Sequence, residues 1–313
     1  MWISAPLVLG AFGVLLALEF HRPLRRTVES KRERTGRNLT MAAITAVALR
    51  LTEEPVTRRL TALVERRRWG LLNCLRMPRW LRGVLRVLLL DYTIYVWHVL
   101  THRVPWLWRM HVVHHVDLDL DVSTAVRFHV AEMIVSVAWR AGQVVLIGVS
   151  PRALSIWQTL LLLSVLFHHS NVRLPIETER RLNRFIVTPR MHGIHHSVIE
   201  EETDSNWSSG LTMWDRLHGT LQLDVPQDAI LIGVPAYRRA DEVTLGKLAV
   251  MPFVTQRPTW QFPDRNSKEV TDHTGCSKRL PNKATAEVGT GGVPVSQPPI
   301  PEPADTGSFP WVR

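Results

Sequence analysis

The side chains of this sequence that can do chemistry are mainly histidines. Eight of its 14 histidines form three spaced clusters, H-x3-H followed by two copies of H-x2-H-H: His98, His102, His111, His114, His115, His192, His195 and His196. An H-x2-H-H match should arise by chance roughly 0.03 times in a chain of this composition. Neutral imidazole is the commonest protein ligand of transition metals. One ion takes only about four to six ligands, so the pattern predicts two metal ions.

The spacing within each cluster is that of one helix face, since residues at i, i+3 and i+4 lie together on an α-helix. Asp91, Tyr95, His98 and His102 follow this period. An acidic side chain within an apolar run is costly and usually functional. We therefore predict that Asp91 orients a ligating imidazole through its second nitrogen. The alternative is an acid that neutralises a basic neighbour at the helix start.

Isolated histidines lie between the second and third clusters. Spacing alone leaves His129 open as a ligand, and at most one of His168 and His169 need be one. Asn171 lies close to this pair. His21, His218 and His273 have no partner in the sequence and are interpreted as surface or interface residues.

Composition limits the classes of protein that remain. The formal net charge of +10 raises nucleic acid as a partner, but the arginines flank apolar runs instead of forming a nucleic-acid module. Basic cytosolic loops of a membrane protein explain the charge better. The two cysteines, Cys74 and Cys276, lie far apart, which excludes a disulfide framework and a Cys-based zinc site.

Several apolar stretches predict helices that position the histidines. Residues 1–20 are expected to form a retained membrane anchor, and the basic segment 21–37 is expected in the cytosol. Further stretches cover 39–51, 84–100, 130–149 and 153–167. Ser150 can cap and Pro151 can open the last helix, which predicts a tight hairpin. This hairpin would return the segments 98–129 and 169–196 to one compartment.

The stretch 39–51 leaves two alternatives. Its helix continues through Pro55 to about Val64, or it belongs to a re-entrant pair with both ends cytosolic, which the positive-inside rule favours. Residues 1–254 are thus expected to be all-α: a multi-pass integral membrane bundle whose cytosolic helical cap carries a His-ligated dimetal site. Residues 255–313 are rich in Pro, Gly, Thr and Ser and predict a disordered tail. A bacterial inner membrane is favoured over an ER-type membrane, because no ER retrieval signal ends the chain.

The pattern resembles the sterol desaturase/fatty acid hydroxylase superfamily, the membrane-bound histidine-rich di-iron oxygenases. The resemblance covers about residues 39–253, and order and spacing both agree. The segments that carry it are Asp91-Tyr-Thr-Ile-Tyr-Val-Trp-His98-Val-Leu-Thr-His102, Trp108-Arg-Met-His111-Val-Val-His114-His115, Arg127-Phe-His129, Phe167-His-His169-Ser-Asn171, Thr188-Pro-Arg-Met-His192-Gly-Ile-His195-His196, Asp204-Ser-Asn206-Trp207 and Met213-Trp-Asp215-Arg-Leu-His-Gly-Thr220.

The resemblance implies a lipid oxidoreductase that hydroxylates or desaturates a sterol or fatty acyl substrate with O2 and two iron ions. It places the iron ligands on the eight clustered histidines and adds His129 and His169. We also expect Asp91 and Asn171 to act as catalytic residues of this site. It also implies electrons from an external NAD(P)H-linked donor, a ferredoxin or a cytochrome b5-like protein. No flavin, dinucleotide or haem-attachment motif occurs in this chain, which agrees with an external donor.

Two other functions remain open. One is an oxygenase of the same architecture that acts on an ether lipid or a carotenoid. The other is a non-enzymatic, His-rich membrane protein that binds or transports zinc. Ligands that cluster at helix ends, instead of along a polar path through the bilayer, argue against transport.

Overall fold

A computed structural model describes residues 4–263, and the regular structure in this range is helical, as the sequence predicts. The α-helices are α1 (Ser4–His21), α2 (Lys31–Leu51), α3 (Glu53–Arg67), α4 (Leu71–Cys74), α5 (Arg79–Arg103), α6 (Pro105–His115), α7 (Val130–Ile147), α8 (Pro151–His169), α9 (Ile176–Leu182), α10 (Pro189–His195), α11 (Glu200–Thr203), α12 (Met213–His218) and α13 (Leu245–Val250). Within the described range, extended pairing is limited to isolated bridges. Most of the predicted tail, from residue 264 onward, lies outside the described residues.

The predicted turn between α7 and α8 is confirmed. α7 ends at Ile147 and is followed by Gly148, whose φ of 86° lies in the left-handed region. The Ser150 hydroxyl accepts a hydrogen bond from the Ala153 amide, and Pro151 is the first residue of α8. Proline suits this position because the first amides of a helix have no partner within it. The turn sends the chain back toward the end at which α7 begins.

α2 and α3 form one bent arm that lies alongside α7. The arm breaks between the two helices, with Pro55 in the first turn of α3. The Thr45 hydroxyl donates to the Phe128 carbonyl just before α7, at 3.1 Å. Farther along, Glu53 Oε1 lies 3.6 Å from Arg140 Nε in the middle of α7. The arm therefore continues past Pro55, as in the first of the two alternatives, and does not turn back.

The chain turns beside the end of α7 and returns through α5. Gly70, with a φ of 92°, lies so close to Gly148 that a Cβ on it would be 2.2 Å from the Gly148 nitrogen. The Asn73 side-chain amide donates to the Gly148 carbonyl at 3.3 Å. α5 then runs back and carries His98 and His102 near its end. The 18 residues of α7 span about 27 Å, which separates this turn from the histidines.

Among the described residues, two helices, α5 and α7, are long and apolar enough to cross a membrane. α1, predicted as the anchor, is apolar but shorter by the same measure and packs along α8. The segment after α8 contains α9 to α13, and α10 carries the third cluster. The packed structure extends beyond residue 254. Trp108 Nε1 donates to Thr259 Oγ1 at 3.1 Å, and the ring of Trp260 stacks on that of Trp108 with 5.7 Å between centroids.

Candidate metal centre

Four helices end where the histidines meet. His98 and His102 lie near the end of α5, His114 and His115 close α6, and His169 is the last residue of α8. α10 ends with His192 and His195, and His196 follows it. The C-terminus of a helix carries a partial negative charge that favours a nearby cation. Four such ends around one cluster suit a site for positive ions.

Group 1 draws on all three clusters and contains His98, His102, His115 and His195, whose candidate ligand atoms lie within 4.8 Å of one another. The ring of His98 donates from Nδ1 to the Trp207 carbonyl at 2.7 Å, and His195 donates in the same way to the Ser205 carbonyl at 2.8 Å. A neutral imidazole that donates from Nδ1 has a lone pair on Nε2. The Nε2 atoms of His102, His115 and His195 are buried and have no hydrogen-bond partner.

Group 2 contains His114, His169, His192 and His196, again within 4.8 Å. His114 Nδ1 donates to the Arg127 carbonyl at 3.1 Å, and His169 Nδ1 donates to the Val165 carbonyl at 2.9 Å. Their Nε2 atoms nevertheless face each other at 3.0 Å. Two lone pairs at this distance cannot form a hydrogen bond with each other, and a cation between them would remove the conflict.

The Nε2 atoms of the other two rings of group 2 lie similarly close together. Nε2 of His192 lies 3.1 Å from Nε2 of His169 and 3.1 Å from Nε2 of His196. The residues therefore fit two metal ions, because buried nitrogens with no other partner converge in both groups. All donors are neutral imidazoles, a set suited to iron, zinc or cobalt.

Burial keeps these rings in the ligating form. It lowers the pKa of His195 to about 3. It also lowers the pKa of His114, His115, His192 and His196 well below the usual value for histidine. The rings are therefore neutral near pH 7, and a metal ion would not have to displace protons from them.

His111, another predicted ligand, lies beside both groups and belongs to neither set of four. Its ring centroid is 4.9 Å from that of His102 and 5.4 Å from that of His114. Nδ1 donates to Glu132 Oε1 at 2.8 Å, whereas Nε2 is buried and has no partner. Glu132 therefore orients an imidazole, the role that was predicted for Asp91. Its position in the apolar start of α7 is the feature of the sequence from which a role for Glu132 could have been predicted.

The structure does not bring His129 to either group. The residue caps α7: its Nδ1 accepts a hydrogen bond from the Ala131 amide at 3.1 Å. Nε2 donates to the Ala249 carbonyl at 3.1 Å. Both ring nitrogens are thus engaged with the backbone, which leaves no lone pair for a metal.

Asp91 and Asn171 also take other places than expected. Asp91 Oδ2 accepts hydrogen bonds from Trp214 Nε1 at 2.7 Å and from the Leu211 amide at 3.1 Å, so it fastens the segment after α8 to α5. Asn171 bonds through both side-chain atoms to the backbone of Arg25, at 2.8 and 2.9 Å. Within the described range, neither side chain forms a hydrogen bond with a histidine of the two groups.

Trp207 and Asp215, for which no role was predicted, also help to form the surroundings of group 1. The indole of Trp207 lies 4.6 Å from the His102 ring and 5.4 Å from the His195 ring, measured between centroids. Asp215 accepts hydrogen bonds from the backbone amides of Trp207 and Ser208, at 2.9 and 3.0 Å. Because the Trp207 carbonyl orients His98, Asp215 helps to fix that ring.

The family model described as fatty acid hydroxylase matches residues 83–220, the range that contains both histidine groups. The ornithine lipid hydroxylase OlsE of Rhizobium tropici is 30% identical over 144 residues, which cover 46% of this chain and 42% of that protein. A cholesterol 25-hydroxylase-like protein of Danio rerio is 32% identical over 159 residues, covering 45% of this chain and 59% of that protein.

Human alkylglycerol monooxygenase is 27% identical over 134 residues, which cover 43% of this chain and 29% of that protein. This chain thus spans about half the length of the first two relatives, 42% and 59%. No solved structure matches it significantly. The matches confirm the resemblance to the sterol desaturase/fatty acid hydroxylase superfamily.

Proposed function

Starting from the fatty acid hydroxylase match over residues 83–220, we propose that this protein is a membrane-bound oxidoreductase that hydroxylates a lipid with O2 at a centre of two iron ions. The observation that carries the proposal is the pair of adjacent groups of four histidines, buried or half-buried, whose ring nitrogens converge. Hydroxylation is proposed over desaturation, because the three relatives compared are named as hydroxylases or a monooxygenase.

In the proposed reaction, a C–H bond and O2, with two electrons and two protons, give an alcohol and water. Iron would supply the activation of O2 and the cleavage of the unactivated C–H bond. Groups 1 and 2 would hold one ion each, with His111 beside both. The backbone carbonyls of Trp207, Ser205, Arg127 and Val165 fix the ring orientations.

Aromatic side chains beside group 1 would also limit access of water to the proposed centre. Trp207 covers one side of His102, and Trp108 lies 4.7 Å from the same ring between centroids. Trp260 in turn stacks on Trp108. An apolar wall of this kind strengthens interactions at the centre and suppresses side reactions with solvent. It also suits an apolar substrate.

We further propose a multi-pass membrane protein whose metal end faces the cytosol, with a bacterial inner membrane as the setting. α5 and α7 support the crossings. Exposed arginines occur at both ends of the bundle, Arg22 and Arg26 near the metal end and Arg66 to Arg68 at the end of α3. Charge alone therefore does not choose the orientation. The orientation is supported instead by the need for an external NAD(P)H-linked donor, a ferredoxin or cytochrome b5-like protein.

The first test is the metal content of detergent-purified protein prepared without oxygen. We expect two irons per chain in the wild type and fewer in His195→Ala, which removes a group 1 ring. The loaded protein, with a reductase and ¹⁸O2, should then add one labelled oxygen to a member of a panel of ornithine lipids, sterols and alkylglycerols. Stoichiometric zinc with no O2 consumption would overturn the proposal in favour of a zinc-binding protein.

A further inference from the structure

The connection between α6 and α7 contains a buried ion network beside group 2. Asp117, Asp119 and Asp121 alternate along this connection, and all three side chains are buried. Arg34 of α2 lies among them and has no exposed surface. It belongs to a part of the chain that precedes the family match, which begins at residue 83.

Arg34 contacts all three carboxylates. Its Nη1 donates to Asp117 Oδ2 at 2.9 Å, and its Nε lies 3.7 Å from Asp119 Oδ2. Nη2 forms a further ion pair with Asp121. A guanidinium group provides five donors in a fixed planar fork, so one arginine can set the relative positions of several acceptors. A lysine ammonium cannot reproduce this geometry.

Asp117 connects Arg34 to the histidines through Arg127. Its other oxygen, Oδ1, lies 2.8 Å from Nη1 of Arg127, which is also fully buried. Arg127 Nε donates to the carbonyl of Val113 in α6, at 3.0 Å. The carbonyl of Arg127 accepts the Nδ1 hydrogen of His114. The position of that carbonyl thus decides where the His114 lone pair points.

We propose that Arg34 is a positioning residue for the metal ion of group 2, acting through Asp117 and Arg127 on the ring of His114. This inference rests on the two-metal centre of the proposed function. It adds that the N-terminal part of the chain helps to form one of the two metal sites. Group 1 does not include His114, so its ion should be affected little.

The experiment is a titration of metal-free, full-length protein with cobalt(II), in competition with a chelator and followed by absorption. Arg34→Lys should weaken the binding of one ion about 10- to 100-fold, the range for loss of groups that orient metal ligands, and leave the other unchanged. Arg32→Lys is the matched control, because Arg32 is exposed on the same helix. Thr124→Val is a milder variant, since the Thr124 hydroxyl donates to Asp117 Oδ2 at 2.8 Å.

His114→Ala should weaken the same ion, and combining it with Arg34→Lys should weaken that ion little further, because both changes act on one ring. Equal weakening of both ions in Arg34→Lys and in Thr124→Val would show a general structural role and overturn the inference. Wild-type affinities in both variants would overturn it as well. Wild-type protein that binds fewer than two cobalt ions would instead contradict the proposed two-metal centre.

Discussion

Replacement of His129 by alanine separates the structural role of this residue from the ligand role that the resemblance gives it. In the structure, one ring nitrogen caps α7 and the other donates to the Ala249 carbonyl. We therefore expect His129→Ala to retain two metal ions per chain and to lose stability. His195→Ala, which removes a buried Nε2 without another partner, should lose metal.

The expected loss of stability follows from the two hydrogen bonds. Loss of an N-cap costs about 1 kcal/mol. Loss of a hydrogen bond such as that to Ala249 costs about another 1 kcal/mol. The total of about 2 kcal/mol corresponds to a fall in melting temperature of roughly 4 to 8 °C for a protein of this size. His129→Asn should recover about half of it, because asparagine is a good N-cap but cannot reach Ala249 in the same way.

The assay combines metal analysis with a thermal melt of the same detergent-purified samples. Two metals per chain in both His129 variants, with asparagine the more stable, would support the cap. Fewer than two metals in His129→Ala, with an unchanged melting temperature in the protein that remains loaded, would refute it. His129 would then have to leave both backbone partners to bind metal.

Three further outcomes are expected. Glu132→Gln should weaken the binding of cobalt at the centre beside His111 about 10-fold. A neutral acceptor then replaces a charged one for the His111 ring, at a difference of about 1.4 kcal/mol. Unchanged cobalt affinity in a competition titration would contradict this. Asp91→Asn should keep both irons by metal analysis but lower the melting temperature by roughly 2 to 6 °C, because its bond to Trp214 loses charge assistance; loss of iron would instead support a role in the centre. Chelation of the bound metals should lower the melting temperature by roughly 5 to 10 °C per ion when free metal is about 100 times the Kd before removal, and an unchanged melt would show that the ions do not stabilise the fold.

The sequence predicts the helices and the clustered histidines well, because both depend on local spacing. His98 and His102 share a helix face at any position of that helix in the bundle. The division into two groups is different. Group 1 combines rings from three separate helices, so their partnership depends on how the helix ends meet, and no spacing along the chain encodes that.

The two acids show the same limit. Both Asp91 and Glu132 stand in apolar helices, where the cost of an acid is a sign of a specific partner. Only Asp91 was predicted from the sequence to have one. Which partner each one meets depends on the element that packs opposite. α12 places Trp214 against Asp91, whereas α6 places His111 against Glu132. His129 illustrates the converse, since the first turn of α7 offers an amide that competes for its nitrogen.

The contact between Gly70 and Gly148 has a consequence for mutational scanning of this protein. Any side chain at Gly70 would collide with the backbone of the turn after α7, and both residues have a positive φ that L-residues rarely adopt. A scan scored by protein abundance should therefore find an intolerant position about 27 Å from the histidines, one α7 length away. A scan scored by activity would find the same position. Only the comparison of the two scores separates residues needed for the chemistry from those needed to close the bundle.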